Sequence, residues 1–351
     1  MNQFLGVIFV RVAMYYNNRD IRLEDMPIPK IGPGELLVRV EACGICGSDV
    51  MEWYRVKRAP LVLGHEIAGE IVKVGEGLDR YKEGQRITAS HHVPCNTCHY
   101  CLTGHHTVCE TLRKTNFDPG GFAEYVRLPA INVDRGVYPL PDSISFEEGT
   151  FTEPLACVLR GQRLAKMQQG LSVLVIGSGI TGLLHIQLAR AMGAGKIVAT
   201  DVNEYRLKVA SKMGADATFH ASEEISERVR EVNDGMLADR VIVCTGAKSA
   251  IIQALESVER GGTVLFFAPT ELGVTISLSL NELFWRNEVT LTSSYGGSPS
   301  DHIVALKLIR SRTIDVKEMV THRLGLAETG LGFQLVANPK DSIKVIIEPQ
   351  R

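Results

Sequence analysis

Apolar positions along the first third of the chain alternate or gather in short β-branched runs, as in Glu35–Glu41 (ELLVRVE) and Ile67–Val74 (IAGEIVKV). Pro27-Ile28-Pro29 and Gly32-Pro33-Gly34 punctuate them, and helical periodicity is weak, so this part reads as an irregular β-barrel-like domain. The period changes near Leu171. Leu171–Gly177 (LSVLVIG) is a continuous apolar strand, followed by a helix over Leu183–Met192, a strand over Lys196–Asp201 and a helix over Asn203–Met213. A short strand near Thr218, a helix over Glu223–Val232, the strand Arg240–Cys244 and a helix over Ala250–Glu259 continue the alternation. The strand Thr263–Ala268, a helix over Leu280–Arg286 and the strand Val289–Tyr295 complete it. Apolar strands alternating with amphipathic helices mean a parallel sheet covered on both faces, and this order suits a doubly wound dinucleotide-binding domain. Beyond Gly296 the pattern predicts a helix over Asp301–Ser311, a helix over Ala327–Val336 and the strand Ile343–Ile347. This mixed tail is expected to return to the first domain. The predicted class is α/β, with one domain over 1–152 and 297–351 and a second over 153–296.

Composition narrows the function classes. The chain has 351 residues, and its 38 Lys+Arg against 40 Asp+Glu leave a formal charge of −2, without the basic excess of a phosphate-binding nucleic-acid protein. No apolar run approaches the roughly 20 residues that span a bilayer, so no membrane partner is expected. Phe4–Val10 (FLGVIFV) is short, lacks a basic flank and has no small-residue cleavage site, so residues 1–10 read as an extension or an added edge strand and the expected compartment is the cytoplasm.

Three constellations carry chemistry. Gly177-Ser178-Gly179-Ile180-Thr181-Gly182 follows a strand and opens a helix, with Asp201 at the end of the next strand. The glycines allow backbone N–H groups to approach a pyrophosphate at the positive end of the helix. Asp201 suits the ribose hydroxyls and would repel a 2′-phosphate, which favours NAD over NADP. Ile180 and Thr181 within the loop, and Arg206 beyond it, are further cofactor-binding candidates. Cys95, Cys98, Cys101 and Cys109 form a C-x2-C-x2-C-x7-C array, four of the eight cysteines. Four thiolates close a tetrahedral zinc shell and leave no open position, so this site is expected to be structural. Cys46 in Cys43-Gly-Ile-Cys46-Gly-Ser-Asp49, His65 before Glu66, and Glu153 before Pro154 are the dispersed third set. Thiolate, imidazole and carboxylate suit a catalytic zinc with one open position. Each alone also has an ordinary reading, as a buried cysteine, a turn histidine and a helix N-terminal carboxylate.

CGICGSD (43–49), LGHEIAGEIVKVGEG (63–77), the four-cysteine lobe (95–109), GGFAEYV (120–126), EPLAC (153–157) and VLVIGSGITG (173–182) together carry a resemblance. Over roughly residues 11–349 the chain resembles the zinc-dependent medium-chain alcohol dehydrogenases, in particular their sorbitol (polyol) dehydrogenase branch. The resemblance implies a GroES-like β-barrel catalytic domain, a Rossmann domain with the active site in the cleft between them, two zinc ions per chain, NAD and a homodimer or homotetramer. It also implies a catalytic zinc on Cys46, His65 and a carboxylate, either Glu66 or, directly or through water, Glu153, with Ser48 taking the alcohol proton. The implied reaction passes a hydride between NAD and a secondary alcohol, a polyol, cyclitol or sugar-like molecule.

The departures are specific. Met51 stands where relatives often place a histidine that ends the proton relay, and Ser293-Ser294-Tyr295 lacks the arginine usual in sorbitol enzymes. His92, three residues before Cys95, resembles the threonine dehydrogenases, so an amino-alcohol dehydrogenase is the nearest rival. A non-catalytic zinc-binding structural member of the superfamily is a rival of another class. His91 is expected at the surface or beside the site, His105 and His106 in solvent, and Cys157 and Cys244 in the core. Trp53, Tyr54 and Phe117 are candidates for a pocket wall or for packing.

Overall fold

The computed structural model describes the backbone of residues 2–4 and 7–351, and side chains from Ile8 onward. The chain divides into two compact units, Met1–Ala156 with Gly296–Arg351, and Cys157–Tyr295. No helix of the described residues is long and apolar enough to cross a membrane.

The first unit begins with β1 (Asn2–Phe4), β2 (Val7–Asn17) and β3 (Asp20–Pro27), an antiparallel meander. Within the apolar stretch Phe4–Val10, Leu5 and Gly6 lie outside the described residues; Asn2–Phe4 forms an edge strand. There follow β4 (Leu36–Gly44), β5 (Leu61–Val62), β6 (Glu66–Val74), β7 (Arg86–Ser90), β8 (Tyr125–Leu128) and β9 (Val137–Pro139).

The second unit carries β10 (Val173–Ile176), β11 (Ile197–Asp201), β12 (Ala217–His220), β13 (Ala238–Val243), β14 (Val258–Phe266) and β15 (Thr290–Ser293). The chain then returns to the first unit with β16 (Val320–Gly325) and β17 (Lys344–Glu348). The second unit is a parallel sheet in the order β12-β11-β10-β13-β14-β15. This is the doubly wound order, in which the direction of winding reverses between β10 and β13. β10 and β11 are buried along their whole length, which is why Val173–Ile176 and Ile197–Ala199 read as unbroken apolar runs.

Several predicted boundaries move. The helix expected over Ala250–Glu259 spans Lys248–Glu256, and β14 begins at Val258, because the β-branched Val258 and the buried Glu259 join the sheet side. The helix expected over Leu280–Arg286 shortens to Leu280–Leu283, with Arg286 and Glu288 at positive φ. β16 was not anticipated: only two of its six residues are buried, so its hydrophobic signal is thin.

In the first unit, a seven-stranded sheet ordered β16-β17-β4-β6-β7-β9, with β8 beside β4, and a four-stranded sheet of β1-β2-β3 with β5 share one core. β4 is its centre, flanked by β17 and β6, both antiparallel to it. The C-terminal return is part of this core. Phe333, 1% exposed, meets Tyr15 of β2 and Phe122 with ring centroids 5.8 and 5.9 Å apart. We expect Phe333→Ala to destabilise the first unit by about 3–5 kcal/mol, read as an earlier denaturant transition of that unit while the second unit melts unchanged.

Candidate metal centres and dinucleotide loop

Three neighbouring strands bring dispersed residues to one end of the seven-stranded sheet. β4 ends at Gly44, and the turn that follows carries Cys46, Ser48 and Asp49. β6 starts at Glu66, directly after His65. Gly44 is opposite Glu66, and Glu66 is opposite Ser90, the last residue of β7. His91 and His92 therefore emerge beside Glu66.

Ligand atoms of Cys46, His65 and Glu66 lie within 4.8 Å of one another, and His65 and Glu66 are buried. Glu153 does not join this group. It sits in the first turn of the helix Thr152–Leu164, close enough for its charge to be felt by Lys344. A thiolate, an imidazole and a carboxylate at this spacing fit a zinc ion with a fourth position open.

Asp49 is what orients the histidine. Fully buried, it lies 3.4 Å from His65 Nδ1 and 3.6 Å from Arg55 through Oδ1, which makes no formal hydrogen bond; the hold is electrostatic. Its Oδ2 accepts the Cys46 N–H at 3.0 Å. Burial works against protonated His65, but the Asp49 carboxylate and the neighbouring Cys46 outweigh it and raise the imidazole well above its usual range. With Nδ1 turned to Asp49, Nε2 is the nitrogen left for a metal. Asp49 also keeps its own charge: burial is offset by His65 and Arg55, and its pKa is lowered.

Ser48 Oγ lies 3.4 Å from Cys46 Sγ and accepts from Arg55 Nη2 at 3.0 Å, while Arg55 Nε donates to the Ser48 carbonyl at 2.9 Å. Glu66 pairs with Lys344, each 1% exposed. His91 packs between His65 and His92, with ring centroids 4.6 and 3.8 Å away. Burial and the adjacent His92 push His91 well below its normal pKa, and burial takes His92 to about 4, so both rings are neutral. Phe117 is buried, with its ring edge on His91. Trp53 and Tyr54 are half-buried and touch each other, with Arg55 over the Tyr54 ring.

Cys95, Cys98, Cys101 and Cys109 form the second metal-ligand group among the described residues. Cys95 and Cys101 sulfurs are 3.9 Å apart, Cys98 and Cys101 sulfurs 3.6 Å. Four thiolates about 2.3 Å from a tetrahedral zinc stand about 3.8 Å apart, so the set fits. Backbone N–H of Thr97, the Thr97 hydroxyl and the N–H of Cys98 pull the Cys95 thiol down to about 5, whereas burial holds Cys101 at about 12. His105 is exposed, His106 is half-buried, and neither belongs to the group. Cys157 and Cys244, expected in the core, are both only half-buried; the Cys244 thiol sits against Thr181.

In the second unit, Gly177 has φ +94° and Gly179 caps the helix Ile180–Ala191. A Cβ at Gly182 would lie 1.9 Å from the Gly177 carbonyl oxygen, so only glycine lets the helix start this close to β10. Asp201 Oδ2 accepts the Ser178 N–H at 2.7 Å and Oδ1 the Asn203 N–H at 2.9 Å. Asn203 caps the next helix through the N–H groups of Tyr205 and Arg206, and the Arg206 guanidinium comes within 3.6 Å of where a Gly179 Cβ would stand. Loop, helix N-terminus and fixed carboxylate fit a dinucleotide.

The lobe yields a direct test. Its own core is Leu112 with the cysteines themselves, while Leu102, Tyr100 and Val108 face solvent. Such a segment cannot hold itself together, so Cys98→Ser should expose residues 95–114 to hydrogen exchange and protease and lower the zinc content by one ion. Reloading zinc near neutral pH should release protons, detectable with a pH indicator, because the Cys101 thiol must ionise.

Comparison with known proteins agrees with this geometry. Residues 32–142 match the alcohol dehydrogenase GroES-like domain and residues 181–311 the zinc-binding dehydrogenase model. The chain is 32% identical over 343 residues to sorbitol dehydrogenase of Gallus gallus, covering 94% of this chain and 93% of that one. It is 34% identical over 335 residues to L-threonine 3-dehydrogenase of Bacillus licheniformis, covering 93% and 94%. A solved structure named as a zinc-binding dehydrogenase of Sinorhizobium meliloti 1021, bound to NADP, is 29% identical with a TM-score of 0.86 and covers 97% of this chain and 100% of that one. With both unit types matched in order and the relatives covered nearly end to end, the chain belongs to the zinc-dependent alcohol dehydrogenase family, on its polyol dehydrogenase branch.

Proposed function

We propose that this chain is an NAD-dependent dehydrogenase that passes a hydride between the cofactor and a secondary alcohol of the polyol, cyclitol or sugar-like class. The observation that carries the reading is the Cys46/His65/Glu66 group, with Asp49 behind the histidine. A zinc ion bound there supplies Lewis acidity toward the alcohol oxygen. Ser48, whose Oγ is held by Arg55, takes the alcohol proton. Met51 has no exchangeable proton, so release beyond Ser48 passes to water. Glu66, as close to Cys46 and His65 as a shared ion requires, is the third ligand in this reading in place of Glu153. The four-cysteine zinc is structural.

Gly177, Gly179, Ile180, Thr181 and Gly182 hold the cofactor pyrophosphate, while Asp201 and Arg206 meet the adenosine ribose. The fixed negative charge of Asp201 favours NAD over NADP, the dinucleotide bound in the Sinorhizobium structure. A second reading, an amino-alcohol substrate, draws on His92, which the His65–His91–His92 stack brings close to the metal group.

Turnover separates these readings. NADH formation should appear with a polyol, cyclitol or simple diol, be at least about 100-fold lower with NADP, and vanish in Cys46→Ser. Activity confined to L-threonine would select the second reading; a preference for NADP would overturn the role given to Asp201.

The same proposal extends to assembly and location. Trp285, Leu280 and Leu272 are 69%, 68% and 66% exposed, and β15 is an edge of the parallel sheet. An open strand edge beside exposed apolar side chains supports pairing with a second copy. Sedimentation should give a dimer or tetramer, and Trp285→Glu should shift it toward monomer; a monomeric wild type would sink this. The metal-binding thiols support a reducing compartment, the cytoplasm, which cell fractionation would check.

A further inference from the structure

Lys344 opens β17, a strand otherwise made of Val345, Ile346, Ile347 and Glu348, and it is 1% exposed. A buried ammonium is costly unless its donors are met. Its Nζ donates to Glu66 Oε2, which is equally buried, and to the Ile45 carbonyl at 3.2 Å. The two side chains meet over the last residue of β4. Gly44 pairs with Glu66 on one side and Ile346 on the other.

A Cβ at Gly44 would lie 2.2 Å from Glu66 Oε2, 2.6 Å from Lys344 Cε and 2.7 Å from Lys344 Nζ. Gly44 is not in the left-handed region. What glycine supplies here is room for the pair.

One oxygen of Glu66, Oε2, is thus committed to the lysine, and Oε1 is the oxygen that Lys344 does not hold. Resting on the metal-group reading above, we propose that Lys344 is the positioning residue that restricts Glu66 to one ligating oxygen, through a gap kept by Gly44, and so keeps a coordination position open for the alcohol. A carboxylate without such a partner offers both oxygens, and chelation through both fills the position that substrate needs.

Cobalt tests this by spectrum and needs no turnover. With zinc first loaded at the four-cysteine site, cobalt(II) at the other reports its coordination number, because four-coordinate cobalt absorbs visible light far more strongly than five- or six-coordinate cobalt. The wild type should bind one cobalt with an intense band. Lys344→Met should still bind it, with the band several-fold weaker. Gly44→Ala should do the same while folding, since its methyl displaces only the ends of two flexible side chains. In a Glu66→Gln background Lys344→Met should change nothing further, because an amide ligates through one oxygen whatever its neighbour.

Circular dichroism and retained lobe zinc establish the fold of each variant. A folded Lys344→Met or Gly44→Ala protein with the wild-type band overturns the role of Lys344. A wild type that takes up lobe zinc and no cobalt overturns the metal-group reading itself, a separate result.

Discussion

An ionised carboxylate moved into a protein interior loses several kcal/mol of hydration, by rough reckoning, unless cations or hydrogen-bond donors face it. Among the carboxylates that the first unit buries, Asp49 and Glu66 lie within reach of one cysteine and one histidine. Asp49 is met by His65, Arg55 and the Cys46 N–H; Glu66 is met by Lys344. These partners come from the turn after β4, the short helix Glu52–Arg55, the residue just before β6, and β17. The strand order that sets β4 between β6 and β17 is therefore inseparable from the site, because another order would leave buried charges unpaired.

The four-cysteine lobe meets the opposite problem. It has too little apolar surface to bury, and its four sulfurs stand at a spacing that suits metal coordination in place of a hydrophobic core. In the second unit, stability comes from a buried parallel sheet, and the glycine loop lies where β10 hands over to its helix, with Asp201 at the end of β11 beside it. Each unit thus solves a different physical task. One assembles charge in a dry place, and the other opens a helix N-terminus behind a glycine loop.

Family membership and site chemistry agree on the reaction class but not to the same depth on the substrate. A sorbitol enzyme and a threonine enzyme are similarly related to this chain. Near the metal-ligand group, His92 is neutral and Phe117 is apolar and buried, and neither character by itself chooses between a hydroxyl and an ammonium group.

Local pattern carried much of this in the sequence alone. The alternation of apolar strands and helices after Leu171 set the order of the second unit, because strands buried on both faces must read as unbroken apolar runs. The glycine loop and the four-cysteine array were legible because their parts are neighbours in the chain. Where signals were weak or long-range, the sequence was silent. β16 is half-exposed and left little periodicity, and the end of the helix after Lys248 turned on Val258 and Glu259 joining a sheet. Lys344 stands 278 positions from Glu66, and no spacing rule connects them. Asp49 was in view inside CGICGSD, yet its work on His65 is defined by a 3.4 Å distance. Residue types thus determined which chemistry the chain carries. Only the tertiary fold decided which carboxylate stands beside Cys46 and which cation holds it, because electrostatic pairing depends on separation in space and not along the chain.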